Sequence, residues 1–154
     1  MSVTPENALA PDLALKASRS RVLFGSCLCG DVGYRICGSP LRMVKCDCES
    51  CRRARGVASA SNLFVPARQF QWTRGESQVV SYRLPGSGSS FATAFCRRCG
   101  SDLPRASRGE SVVVVPAGTL DSEPDLRPQA HVCVSEKFDI ADDLPRYAET
   151  PPVV

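Results

Sequence analysis

The sequence predicts a mainly β fold. Three observations carry that expectation. Turn-forming residues are frequent, with 12 Pro and 11 Gly among 154 residues. Val32, Tyr34 and Ile36 alternate with Asp31, Gly33 and Arg35, the period-two pattern of a half-buried strand. Val112 to Val115 is a continuous β-branched run that suits a buried strand. Hydrophobic residues make up 43% of the chain, too many for general disorder and enough for a real core. The length fits one domain.

The elements follow in chain order. Residues 1–21 are polar, Pro-broken and without periodicity, and are expected to be a flexible leader. The ordered domain is expected over 22–148, with a loose Pro-rich tail at 149–154. Val22-Leu23-Phe24 is a short strand that runs into the turn Gly25-Ser26-Cys27-Leu28-Cys29-Gly30. The alternating strand to Ile36 follows, and Leu41 to Val44 delivers the chain to Cys46. One short helix is expected near 47–56. Asp47 is its candidate N-cap, Ala54 and the arginines are good helix formers, and Gly56 can end it. Val57 to Val65, Phe70 to Trp72 and Val79 to Leu84 read as strands, the last two separated by Arg74-Gly75-Glu76. Pro85 to Ser89 is a loop by composition. Phe91 to Phe95 leads into Cys96-Arg97-Arg98-Cys99-Gly100. Gly118 to Asp121 is a turn, and His131 to Val134 is the last strand.

Charge decides little. The net charge is +3, and sixteen of the nineteen basic residues are Arg. The guanidinium fork suits carboxylates and phosphates, while compositional bias is the preferred account of any single Arg. No run approaches the roughly 20 apolar residues of a membrane span. The N-terminus carries no convincing signal peptide, since Pro5, Pro11, Asp12 and Lys16 interrupt its Leu and Ala residues. A cytoplasmic location is therefore expected, where nine cysteines serve as thiols or metal ligands rather than disulfides.

The cysteines fall into groups. Cys27 and Cys29 form one pair and Cys96 and Cys99 another, each in a tight turn beside a glycine. Each pair supplies two thiolates, and a closed structural zinc site takes four. The two pairs are thus expected to meet in space. Such a site would turn metal-binding free energy into folding free energy. The remaining group, Cys46-Asp47-Cys48-Glu49-Ser50-Cys51, holds three thiols within six residues. Three protein ligands with an open position is the pattern of a catalytic zinc. The open position would take water or a substrate thiol, kept ionised near neutral pH. Arg52, Arg53 and Arg55 follow at once and suit the carboxylates of an anionic thiol, or form a solvated helix face. A fourth protein ligand is an alternative, from Asp47, His131 or Cys133. His131 reads as a hydrogen-bonded structural histidine, with ligand and acid–base roles left open. Cys37 and Cys133 read as ordinary buried thiols.

Five motifs stand in one order: Gly25 to Val32, Cys46 to Arg53, Phe95 to Leu103, Gly118-Thr119-Leu120-Asp121 and Leu144-Pro145-Arg146-Tyr147. Together they make the chain resemble the glutathione-dependent formaldehyde-activating enzyme family, also called the centromere protein V/GFA domain, over roughly Val22 to Tyr147. The resemblance implies small coiled antiparallel sheets of the zinc-binding type shared with Rab exchange factors and B-type methionine sulfoxide reductases. It implies two zinc ions: a structural one on Cys27, Cys29, Cys96 and Cys99, and a catalytic one on Cys46, Cys48 and Cys51. It also implies a carbon–sulfur lyase activity on S-hydroxymethylglutathione, which releases formaldehyde and glutathione. Two positions depart from the family pattern: Asp47 replaces the usual His, and Phe138 the usual Trp.

Two functions follow. In the first, Cys46, Cys48 and Cys51 hold the reactive metal, and Arg52 and Arg53 orient a small thiol substrate such as glutathione. In the second, the chain is a zinc-stabilised binding module without chemistry. Nucleic acid is not an expected partner, because the basic residues are scattered and no stacking aromatics accompany them. No membrane partner is expected, and a homodimer is compatible with the sequence.

Overall fold

The computed structural model describes residues 22–86 and 91–138. The expected leader, the closing Leu144 to Tyr147 motif and the tail lie outside the described residues. Short turn-bounded segments give eleven strands and one α-helix among the described residues.

The strands form three small sheets. The first pairs β1 (Val22–Ser26) with β2 (Gly33–Cys37), and β2 with β5 (Phe70–Arg74), all antiparallel. The second runs in the order β11 (Ala130–Val132), β3 (Arg42–Cys46), β4 (Ala60–Pro66), β10 (Val112–Pro116) and β9 (Arg105–Ala106). The third is β6 (Val79–Arg83), β7 (Ala92–Cys96) and β8 (Asp102–Leu103). The mainly β expectation is thus met, with one exception to antiparallel pairing: β11 runs parallel to β3.

Alternation places Leu23, Tyr34 and Ile36 on one face of the first sheet. They pack on Met43, Leu63, Val65, Val113 and Val115 of the second. This is the main core. The run Val113-Val114-Val115 is buried throughout, so this central strand is covered on both faces. Tyr34, Phe70 and Trp72 meet edge to face or tilted, with ring centroids 4.9–6.1 Å apart. A second cluster, Cys27, Val32, Ala94, Cys96 and Leu103, joins the first and third sheets.

The helix α1 spans Glu49–Arg55 and differs from expectation at its start. Its N-cap is Cys48, not Asp47. The Cys48 Sγ accepts the Cys51 N–H at 3.4 Å, while the Asp47 side chain turns to His131. Gly56 closes the helix in the left-handed conformation, its N–H donating to the Arg52 carbonyl at 2.8 Å. The strand after it begins at Ala60 rather than Val57, because Ala60 is the first residue opposite β3, against Cys46. The last strand ends at Val132 rather than Val134, because Cys133 leaves the extended conformation with φ 58°. Cys37 and Cys133 are exposed, which corrects the reading of both as buried thiols. Cys37 ends β2 on its outward face, and Cys133 sits beyond the end of its strand.

Candidate metal centres

The first centre is built from two matching turns. After β1, the Cys27 N–H donates to the Val32 carbonyl and the Gly30 N–H returns to the Cys27 carbonyl, at 3.0 and 2.9 Å. After β7, the Cys96 N–H donates to the Ser101 carbonyl and the Gly100 N–H to the Cys96 carbonyl, both at 2.9 Å. Gly30 and Gly100 take φ of 80° and 74°, which a side chain would resist. The two turns face each other, as the pairing of the cysteines required. The sulfurs of Cys27, Cys29, Cys96 and Cys99 all lie within 4.8 Å of one another. Cys27 and Cys29 are 3.5 Å apart, and Cys29 and Cys96 3.9 Å. A tetrahedral zinc with Zn–S of about 2.3 Å needs sulfurs about 3.8 Å apart, so this quartet fits one ion.

The electrostatics point the same way. Hydrogen bonds from Ser101 draw the Cys99 thiol down to about 5. The Asp31 N–H favours the Cys29 thiolate, but burial and the thiols of Cys27, Cys99 and Cys96 outweigh it and push Cys29 up to about 12. Four thiolates this close repel, and a divalent cation is the charge that relieves them. Val32 N–H also donates to the Cys27 sulfur at 3.3 Å, which suits a thiolate.

The second centre joins the end of β3 to the first turn of α1. Cys46 and Cys51 are buried and Cys48 half-buried, and their three sulfurs lie within 4.8 Å of one another. Burial pushes the Cys51 thiol up, and its neighbours Cys48 and Cys46 push it further. Burial opposes ionisation of Cys46 too, but the Cys48 N–H and the surrounding thiols hold Cys46 below the ordinary range. The trio is a three-donor set of the kind that accepts a soft divalent ion.

The residues around this trio serve distinct ends. Asp47 is fully buried, with Oδ2 3.3 Å from His131 Nδ1. His131 is therefore hydrogen-bonded, as the sequence suggested. Arg52 donates from Nε to the Asp47 carbonyl at 3.1 Å, and its guanidinium lies 3.5 Å from the Phe138 ring centroid. Arg53 pairs with Glu49 at 2.8 Å on the exposed face of α1. Arg52, Arg53, Glu49 and Phe138 line an open groove of about 670 Å³ beside the helix. Arg55 does not join them. It turns inward to Asp102, Nε to Oδ2 2.5 Å, and donates to Asn62. Its place four residues after the buried Cys51 was the available signal, since that spacing puts both on one helix face. Glu136, which accepts the Glu49 N–H at 2.8 Å, had no such signal.

Residues 22–136 match the sequence model described as glutathione-dependent formaldehyde-activating enzyme. The chain belongs to that family. Within the GFA match fall both cysteine centres and the two arginines of the groove. A crystal structure of a Rhodobacter sphaeroides protein is similar to this GFA chain, with 25% identity and a TM-score of 0.53 over 66% of this chain and 91% of that one. No curated protein matches it. Among the described residues, no helix is long and apolar enough to cross a membrane.

Proposed function

We propose that this GFA chain is a zinc-dependent carbon–sulfur lyase acting on a thiol–aldehyde adduct of the S-hydroxymethylglutathione kind. The observation that carries the reading is the three-thiol centre of Cys46, Cys48 and Cys51 beside a groove lined by Arg52 and Arg53. Zinc, when bound there, supplies a Lewis acid that keeps a substrate thiol ionised near neutral pH. The protein's own part is to hold the adduct. Arg52 and Arg53 present guanidinium donors to its carboxylates, and the half-buried Cys48 leaves the centre open toward the helix start. In the lyase direction the adduct's hydroxyl gives up its proton, the C–S bond breaks, and the sulfur leaves with the electron pair. The products are the aldehyde and the thiol. Four of the other six cysteines, Cys27, Cys29, Cys96 and Cys99, would hold a second zinc that ties the first and third sheets. All nine cysteines are free, which suits a reducing cytoplasm.

The test pairs zinc stoichiometry with formaldehyde release from S-hydroxymethylglutathione, for wild type and Cys48→Ser. Wild type should bind two zinc ions and turn over. Cys48→Ser should stay folded, bind one and lose activity. Full turnover in Cys48→Ser would sink the mechanism.

A further inference from the structure

The segment after β11 crosses the second cysteine centre. Val132 lies opposite Cys46, and the Asp47 N–H donates to the Val132 carbonyl at 3.1 Å. Cys133 follows in a left-handed conformation that non-glycine residues seldom take. Beyond it, Glu136 accepts the Glu49 N–H at the start of α1, and the Phe138 ring packs on Arg52. The backbone on both sides of Cys133 is thus tied to the residues that carry the trio.

Cys133 is no ordinary neighbour of that trio. It directly follows Val132, the residue paired with Cys46, so the β11–β3 pairing brings it to the end of the strand that carries the trio. Its sulfur is not one of the three that lie within 4.8 Å of one another, so ligation requires its side chain to turn toward them. Its exposure leaves the side chain free to change rotamer at little cost. The trio is one donor short of a closed tetrahedron. Of the three other donors that the sequence offered, Asp47 and His131 are engaged with each other. Cys133 is the remaining candidate among those three, and its thiol is free.

We infer that Cys133 is an exchangeable fourth thiolate of the second metal centre, filling in the resting protein the position that a substrate thiol takes. This rests on the reading that Cys46, Cys48 and Cys51 hold a metal. On exchange, the entering thiol gives its proton to the departing Cys133 thiolate. One metal–sulfur bond breaks, one forms, and no oxidant is required. A donor at a strand end can leave where the others cannot, since Cys46 and Cys51 are buried and Cys48 caps the helix. Cys133 would thereby shield the centre from adventitious ligands until a thiol displaces it.

Cadmium-113 NMR of the whole chain, loaded with cadmium, reads the donor sets directly. Wild type should give two resonances, both in the four-thiolate range. In Cys133→Ser one should stay and the other should move to the three-sulfur range. Adding 2-mercaptoethanol to cadmium-loaded Cys133→Ala should return that resonance to the four-thiolate position. Unchanged spectra in Cys133→Ser, or no return with the added thiol, would overturn the inference. A wild-type resonance already in the three-sulfur range would overturn it too, while leaving the lyase reading intact. A single wild-type resonance would remove both, since the second centre would then hold no metal.

Discussion

Asp47 Oδ2 lies 3.3 Å from His131 Nδ1, across 84 residues of chain. The carboxylate is fully buried between two cysteines of the second centre, and its Oδ1 has no hydrogen bond of ordinary geometry among the described residues. The Ser59 hydroxyl beside it favours the ionised form most, burial opposes it, and His131 and Lys137 add to the favourable side. The net effect holds the carboxyl below its ordinary 3.8. A depressed carboxyl stabilises the fold above the unfolded value and loses that contribution as pH falls through the folded one. Asp47→Asn should therefore unfold at lower urea than wild type at pH 7. The gap should persist down to about pH 4 and close below it. Urea midpoints from pH 7 to pH 3 check this, and a gap of constant size throughout would contradict it.

Arg55 and Asp102 form a nearly buried ion pair, with side chains 10% and 15% exposed. Thr93 donates to the other Asp102 oxygen at 3.0 Å, and Arg55 also reaches Asn62. The network ties α1 to the second and third sheets. Removing one partner strands the other charge, so Asp102→Ala should cost about 3–5 kcal/mol in chemical denaturation. The double variant Arg55→Met, Asp102→Leu should lose less than Asp102→Ala alone. Equal losses would mean that the pair is not what holds the helix.

The first centre links the turn after β1 to the turn after β7, so a metal held there would act as a cross-link between sheets. Chelation, or Cys96→Ser, should destabilise the whole domain rather than one loop. Loss of a structural metal falls in the class above about 4 kcal/mol, which is roughly 10 °C in melting temperature for a chain of this size. Calorimetry with and without chelator measures it. A melting temperature indifferent to chelation would show that the core stands alone.

Arg53 is the freer of the groove's two arginines. Its side chain is 78% exposed and pairs with Glu49 four residues back, an arrangement of small energy. A substrate carboxylate can take it from Glu49 at little cost. Arg53→Ala should raise KM roughly tenfold, the equivalent of about 1.4 kcal/mol, with kcat almost unchanged. Steady-state kinetics on S-hydroxymethylglutathione decides this. A fall in kcat at constant KM would place Arg53 in the chemistry instead.

The cysteine groups were legible because thiol spacing is local chemistry. Cys27-Leu28-Cys29-Gly30 and Cys96 to Gly100 each close a tight turn whose hydrogen bonds span only a few residues, so the pattern alone commits the sulfurs to one side. The strands were legible for the same reason: alternation at Val32, Tyr34 and Ile36 and the valine run at 112–115 need no distant partner to be read. The helix cap was not. Local rules point to Asp47, since Asp is a preferred N-cap residue and Cys is not. The choice fell to Cys48 because His131 arrives on β11 and engages Asp47. Arg55 likewise looks like its neighbours until Asp102 and Asn62 come from two other strands to receive it. The sequence by itself determined the β class and the two cysteine groups. Only the tertiary structure decided the N-cap, the inward arginine and the place of Cys133. The cap and Cys133 depend on the parallel pairing of β11 with β3, and the arginine on β4 and β8, all contacts between segments far apart in the chain that no local propensity encodes.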